Sequence, residues 1–316
     1  MAEWLYEAGI GEQRAALVDA DDRILIAAIE PDDAGPLVGT VTAARLVELL
    51  PARRGRVTLA TGEEALLDAV PRGTTQGAAV TVAITREPIA EPGRQKPARC
   101  TATELPPAPG TDLYARIVAT GHPVRTLRAH EADRLEQAGW SEVLEEAMEG
   151  EIAFDGGTLL LCPTPAMTLF DVDGGPPLDT LALAAATAVA AAIVRHGIGG
   201  SIGIDFPTIE GKAARQAVAA AIDAGLPQPF ERTAMNGFGF LQIVRPRPRA
   251  SLPDRLRADP VKAAARAALR LIERTPPGAS PHHRLPPAVY RAITARPDWL
   301  AELTRRTGVV HRLESM

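Results

Sequence analysis

The chain has 316 residues, 46% of them hydrophobic and 23% charged, with a formal net charge of −5. That balance suits folded domains with a sizeable core and excludes a low-complexity or collagen-like chain. Two cysteines, Cys100 and Cys162, exclude a disulfide framework and a cysteine-based zinc cluster.

The first residues, MAEWLYEAGIGEQR, lack a basic start followed by an apolar core, so no secretory signal is read there. The longest apolar stretch, Leu181 to Val194, falls short of the ~18 residues a membrane span needs. A cytoplasmic protein with no membrane partner is therefore expected. Charge is uneven along the chain: residues 128–155 carry nine acids against two bases, and residues 232–274 carry ten bases against three acids. The basic segment is read as a surface for an anionic partner, with two solvated helical faces as the plainer alternative.

Residues 1–34 read as a β-hairpin, with Arg14 to Val18 and Ile24 to Ile29 joined by a turn at Asp19-Ala-Asp-Asp22. The Asp cluster lacks calcium-loop spacing. Residues 35–100 contain short β-like runs, Val38 to Val41, Arg56 to Ala60 and Ala78 to Ile84, punctuated by Gly and Pro. They predict a small closed barrel of OB-fold type, a class that often grips single-stranded nucleic acid by stacking bases on aromatic residues. Residues 31–99 contain no Phe, Tyr or Trp, so any such grip would be electrostatic, through Arg53, Arg54, Arg86, Arg94 and Lys96.

Residues 101–150 are a linker followed by an acidic helical segment, Ala129 to Met148, with Leu113 to Ala119 as a candidate strand. Residues 151–252 form an α/β segment that begins with a hairpin around Asp155-Gly-Gly157. Two apolar runs follow, Ala166 to Phe170 ending in Asp171-Val-Asp173, and Ser201 to Ile204 ending in Asp205. Between them lies an Ala-rich stretch, Leu178 to His196, long enough for a helix and closed by Gly197. Strand, helix, strand is a βαβ unit with parallel strands, so both runs end at one edge of the sheet. If the two strands are neighbours, Asp171 and Asp205 start from backbones roughly 4.8 Å apart. Carboxylates that close share a proton or hold a cation. Taken singly, each aspartate is equally a turn or capping residue. Lys212 to Ala224 reads as a second helix and Phe238 to Val244 as a third strand, giving a βαβαβ layer.

The remainder, residues 253–316, reads as a small α+β domain. It follows the extended basic segment Arg245-Pro-Arg-Pro-Arg249. Pro260 to Ile272 is an amphipathic helix with Lys262, Arg266 and Arg270 on one face. His282 and His283 fall in a breaker-rich loop and read as solvent-exposed, because a histidine zinc site needs a further spaced ligand. A last helix is capped by Gly308 and leads to a short strand.

The segments Phe170-Asp-Val-Asp173 and Ile202-Gly-Ile-Asp205-Phe206 resemble the ribonuclease E/G family of bacterial endoribonucleases, whose strands read A-I-D-V-N-[ST]-G and G-G-L-I-V-I-D-F. Gly237-Phe-Gly-Phe-Leu-Gln-Ile-Val-Arg-Pro-Arg247 resembles the family's R-F-G-L-L-E-M-S-R-Q-R. Fainter likenesses are Glu87-Pro-Ile89 to K-E-P-I and Leu300 to Gly308 to L-x-x-L-E-x-x-T-G. The resemblance implies that Asp171 and Asp205 bind Mg²⁺, or Mn²⁺ in its place, at the scissile phosphate of single-stranded RNA. Asp173 stands where the family has an assisting Asn. Arg245, Arg247, Arg249, Lys212, Lys262, Arg266, Arg94 and Lys96 are the expected RNA contacts. The chain departs from the family in lacking the G-M-G-x-I-V-R-T-A segment of the 5′-monophosphate pocket and the C-P-x-C zinc link, so any homo-oligomer would form without zinc. The expectation is an Mg²⁺-dependent endoribonuclease. A non-catalytic RNA-binding relative and, more remotely, a small-molecule phosphohydrolase are the alternatives.

Overall fold

The computed structural model describes residues 1–91, 94–276 and 278–316, and of Arg94 the backbone alone. Three strands, β1 (Glu3–Ala8), β2 (Glu12–Val18) and β3 (Ile24–Pro31), open the chain as an antiparallel meander, one strand more than the expected hairpin. Asp19 accepts the backbone N–H groups of Asp21 and Arg23, so the Asp cluster acts as a turn.

Next come β4 (Val41–Leu50), β5 (Arg54–Leu59), β6 (Glu64–Leu67) and β7 (Ala79–Arg86), then a small ribbon of β8 (Ile89–Glu91) and β9 (Arg94–Lys96), then β10 (Ala98–Ala102). Strands β4 to β7 and β10 close into a five-stranded barrel in the order β10-β6-β5-β4-β7, sealed by the parallel pair β10 and β6. Leu46, Val57, Leu67, Val82 and Cys100 are fully buried in its core. Room is so short that a Cβ on Gly55 would lie 2.6 Å from Leu46 Cδ1 and 2.8 Å from Val70 Cγ2.

Helix α1 (Leu113–Val118) forms where a strand was expected. The Asp112 carboxylate accepts the Ala115 N–H as an N-cap, and Leu113 and Ile117, four residues apart, bury one helical face. Strand β11 (Val124–Thr126) then adds to β1 in parallel. The acidic helical segment divides into α2 (Arg134–Gln137) and α3 (Trp140–Glu149), broken at Gly139, whose φ of 91° lies outside helical space.

The α/β layer contains β12 (Glu151–Phe154), β13 (Gly157–Pro163), β14 (Thr168–Gly174), α4 (Leu178–Arg195), β15 (Gly200–Asp205), α5 (Lys212–Gly225), β16 (Glu231–Arg232) and β17 (Phe240–Arg245). Its sheet order is β12-β13-β14-β15-β17-β16. The β14-α4-β15 unit is parallel as expected, but β17 runs antiparallel to β15. After α5 the chain climbs through the edge strand β16 and returns as β17, which inserts between β16 and β15. Helix α4 has 18 residues and a mean hydropathy of 1.6, so its length and composition would allow a membrane span, although its central apolar stretch is shorter. In this fold Ala182, Ala185, Ala186, Val189 and Ile193 are buried in the core they share with the sheet.

The chain ends with α6 (Leu252–Ala258), α7 (Pro260–Glu273), β18 (His282–Leu285), α8 (Pro287–Thr294), α9 (Pro297–Thr307) and β19 (Arg312–Ser315). The expected histidine loop is thus a strand, because His282 to Leu285 pairs in parallel with Arg312 to Ser315.

Two compact units result. One unites Met1–Asp33, Asp112–Trp140 and Arg255–Met316; the other unites Ala34–Thr111 with Ser141–Asp254. Within the first, Arg14, only 2% exposed, donates from Nε and Nη2 to Glu7 Oε2 at 2.9 and 2.6 Å, and from Nη2 to Asp133 at 2.8 Å. Arg274 reaches the same Glu7 oxygen at 3.1 Å, and Arg270 pairs with the buried Glu12. Burial pushes the Asp133 carboxyl up, but the charge and hydrogen bond of Arg14, with help from Arg274, hold it below the usual carboxylate range. Removing one member of such a buried set leaves an uncompensated charge, which costs about 3–5 kcal/mol. Glu7→Ala should therefore lower the urea-unfolding free energy by that order. An unchanged midpoint would show that the network contributes no stability.

Candidate metal and nucleic-acid site

Parallel pairing of β14 with β15 sets the geometry. Thr168 lies opposite Ile202, Phe170 opposite Ile204, and Asp171 opposite Asp205. Side chains alternate along a strand, so Phe170, Val172, Ile202 and Ile204 are buried in the helix-covered core, while Asp171, Asp173 and Asp205 are exposed on the other face. Paired residues on adjacent strands share a face with backbones about 4.8 Å apart, so the carboxylates of Asp171 and Asp205 rise side by side.

Asp205 closes its strand as expected, but Asp171 does not. It lies inside β14, because pairing with β13 continues as far as Gly174. The aspartates therefore stand on an open sheet face instead of in a crevice beyond the strand ends. Glu151, Leu160, Asp171, Asp205 and Phe240 form one row across that face. Asp173 lies opposite Thr158, two residues and about 6.6 Å further along β14. Among the described residues no group of three His, Cys, Asp or Glu side chains could hold a metal ion, so Asp173 does not complete a three-carboxylate cluster.

A second row explains the glycine beside the pair. A Cβ on Gly203 would lie 2.7 Å from Phe240 Cζ, 2.8 Å from Leu169 Cδ2 and 2.9 Å from Met167 Sδ, so these side chains cover its backbone. The approach to β17 is firmly built. Asn236 Oδ1 accepts the N–H groups of Phe238 at 2.9 Å and Phe240 at 3.0 Å. Gly239 has φ +98°, and a Cβ there would meet the Phe206 carbonyl oxygen at 2.1 Å. The turn leaves Phe238 84% exposed. In sequence Phe238 and Phe240 read as parts of an apolar strand; pairing of Phe240 with Asp205 is what brings that segment beside the carboxylates.

Most of the expected phosphate contacts are occupied within the protein. Arg247 pairs with Asp254 at 2.9 Å and lies 3.8 Å from Glu91, which also pairs with Lys96. Arg249 lies 3.1 Å from the carboxylate of Glu87, and the Glu87 N–H donates to the Pro248 carbonyl. The Arg-Pro-Arg-Pro-Arg segment is thereby fastened to the chain that leaves β7. Arg245 donates to the Ile198 carbonyl at 3.3 Å, and burial pulls its guanidinium down from the usual arginine range. In the other unit, Lys262 and Arg266 both pair with Asp33, at 3.1 and 2.6 Å, and Arg270 with Glu12. These three bases do share a helical face, but it serves internal carboxylates. Lys212, the first residue of α5, is exposed and forms no ion pair among the described residues. The Arg94 side chain lies outside the described residues.

No protein-family model matches this chain, and no curated protein is found to be similar to it.

The occupied arginines should behave as structural groups. Arg249→Met should lower stability by about 1–3 kcal/mol, since it removes a charged partner from the buried Glu87. Lys212→Ala should shift it by less than about 0.5 kcal/mol. Thermal unfolding of both variants checks the order, and the reverse order would return Arg249 to the free surface cations.

Proposed function

We propose that the protein is an Mg²⁺-dependent endoribonuclease acting on single-stranded RNA in the cytoplasm. The observation that carries this is the register that sets Asp171 opposite Asp205 on an exposed sheet face. Among the described residues neither carboxylate has a hydrogen bond or ion pair within the protein, so both are available to an external cation. The donor set fits Mg²⁺, a hard ion that takes one or two carboxylates and keeps several waters. Asp171 and Asp205 would hold it. When bound it would neutralise charge on a phosphate and lower the pKa of a bound water. The order of the motifs along the chain, which resembles that of ribonuclease E/G, and a five-stranded barrel of the size of an OB-fold support the same assignment.

A non-catalytic RNA-binding relative is the second reading. It is favoured by Asp173 in place of the implied Asn and, among the described residues, by the lack of a third ligand beside the pair.

Labelled single-stranded RNA incubated with Mg²⁺ should be cleaved, and EDTA should stop the reaction. Asp171→Asn and Asp205→Asn should each abolish cleavage with little change in unfolding midpoint, because both side chains are exposed. Binding without cleavage would favour the second reading; full activity in either variant would remove the mechanism.

The 5′ end should matter little. Residues 111–120, where the resemblance would place part of a 5′-phosphate pocket, hold a single arginine, Arg116, which pairs with Glu30 at 2.6 Å. Cleavage rates on 5′-monophosphate, 5′-hydroxyl and 5′-triphosphate versions of one oligonucleotide should agree within tenfold, a span of about 1.4 kcal/mol. A larger preference for the monophosphate would reveal a pocket built elsewhere.

A further inference from the structure

A pair of histidines far apart in sequence meets in the unit that contains the C-terminus. His283 lies in β18, and His311 immediately precedes β19, its parallel neighbour. His283 Nε2 stands 3.0 Å from His311 Nδ1. Thr307 supports the other nitrogen of the His311 ring. The Thr307 hydroxyl has two carbonyl acceptors for its proton, Leu303 at 2.8 Å and Val309 at 3.2 Å. Its oxygen accepts the Val309 N–H at 3.3 Å and stands 3.2 Å from His311 Nε2. While the hydroxyl proton goes to a carbonyl, the hydroxyl oxygen accepts from His311 Nε2–H, the tautomer that suits this contact. In that tautomer the bare lone pair is on Nδ1, the nitrogen turned toward His283.

Hydrogen bonding of the remote ring nitrogen is how proteins fix the tautomer and orientation of a metal-binding histidine. The spacing agrees. Two imidazole nitrogens about 2.0–2.1 Å from one Zn²⁺ lie about 2.9–3.4 Å apart for angles between 90° and tetrahedral. Both rings also favour the neutral form that binds metals. Burial lowers the His283 and His311 pKa values, with smaller contributions from His282 on the first and His283 on the second.

We propose that His283 Nε2 and His311 Nδ1 form a binding site for a borderline divalent transition ion, with Zn²⁺ as the reference case. Among the described residues no third His, Cys, Asp or Glu joins them, so water or a small ligand completes the shell. His311 and Thr307, though not His283, also line a cavity of about 650 Å³. The site is distinct in chemistry from the aspartate pair: imidazole selects Zn²⁺, Ni²⁺ or Cu²⁺, whereas paired carboxylates suit Mg²⁺. A bound ion would join β18 to the entrance of β19 and, through Thr307, to the end of α9.

The test uses the full chain, stripped with EDTA and dialysed, and titrated with Zn²⁺ by calorimetry and with Co²⁺ by visible absorption. One ion per chain should bind with micromolar affinity or better and raise the thermal midpoint. His283→Gln and His311→Gln should each weaken binding more than tenfold. His282→Ala and Asp171→Asn should stay within twofold, which separates this site from an adventitious surface chelate and from the aspartate face. Circular dichroism checks each variant's fold. If a variant does not fold, the Co²⁺ spectrum of the unaltered chain decides, since nitrogen ligation gives a band distinct from that of the aqueous ion. An ordinary hydrogen bond between two neutral histidines would give no binding below millimolar Zn²⁺. That result, or equal losses in His282→Ala, would overturn the proposal.

Discussion

The parallel pairing of β14 with β15 is the constraint on which the candidate site depends. A crossover through α4 makes the two strands parallel neighbours, and their register then decides which side chains share a face. A slip of one residue would put Asp171 opposite Ile204 and send one side chain of each pair into the wrong environment. The buried face prevents that slip. Phe170, Ile202 and Ile204 are fully buried against the alanines of α4, so the register that fills the core also aligns the carboxylates. Small α4 side chains let the helix lie close to the sheet, and the 18-residue length spans it.

The opposite face carries the exposed carboxylates. It combines acidic groups with Leu160, Leu169 and Phe240, and it ends near the pinned, exposed Phe238. The glycine at position 203 belongs to the same design, because a larger residue would displace the side chains that flank the pair.

Charge along the chain and charge on the surface differ here. The ten bases of residues 232–274 look like a basic patch when counted in sequence. In the fold Arg247 and Arg249 serve Asp254 and Glu87, while Lys262, Arg266 and Arg270 serve Asp33 and Glu12. Several of those carboxylates come from residues more than a hundred positions away, so the compensation is invisible to a local count. Arg266 and Arg296 also lie over the Trp299 ring, at 5.8 and 4.5 Å, using their planar groups as packing surface.

Local chemistry made much of the fold legible in the sequence. The apolar runs around Phe170 and Ile202, the Ala-rich stretch between them and the Gly308 cap follow from periodicity and backbone preference, which act over a few residues. The two aspartates were legible for the same reason, since the βαβ order alone makes their strands parallel. Tertiary structure decided everything that needed a distant partner. Asp171 became an interior strand residue because β13 pairs on past it to Gly174. Leu113 to Val118 is held as a helix by a distant carboxylate, since Glu30 accepts the Leu113 N–H and pairs with Arg116, and β17 reversed direction because the edge strand β16 took the upward course. His283 met His311 only through the pairing of β18 with β19. Each of these outcomes depends on contacts between separated segments, and the free energy of such contacts is not a property of either segment alone.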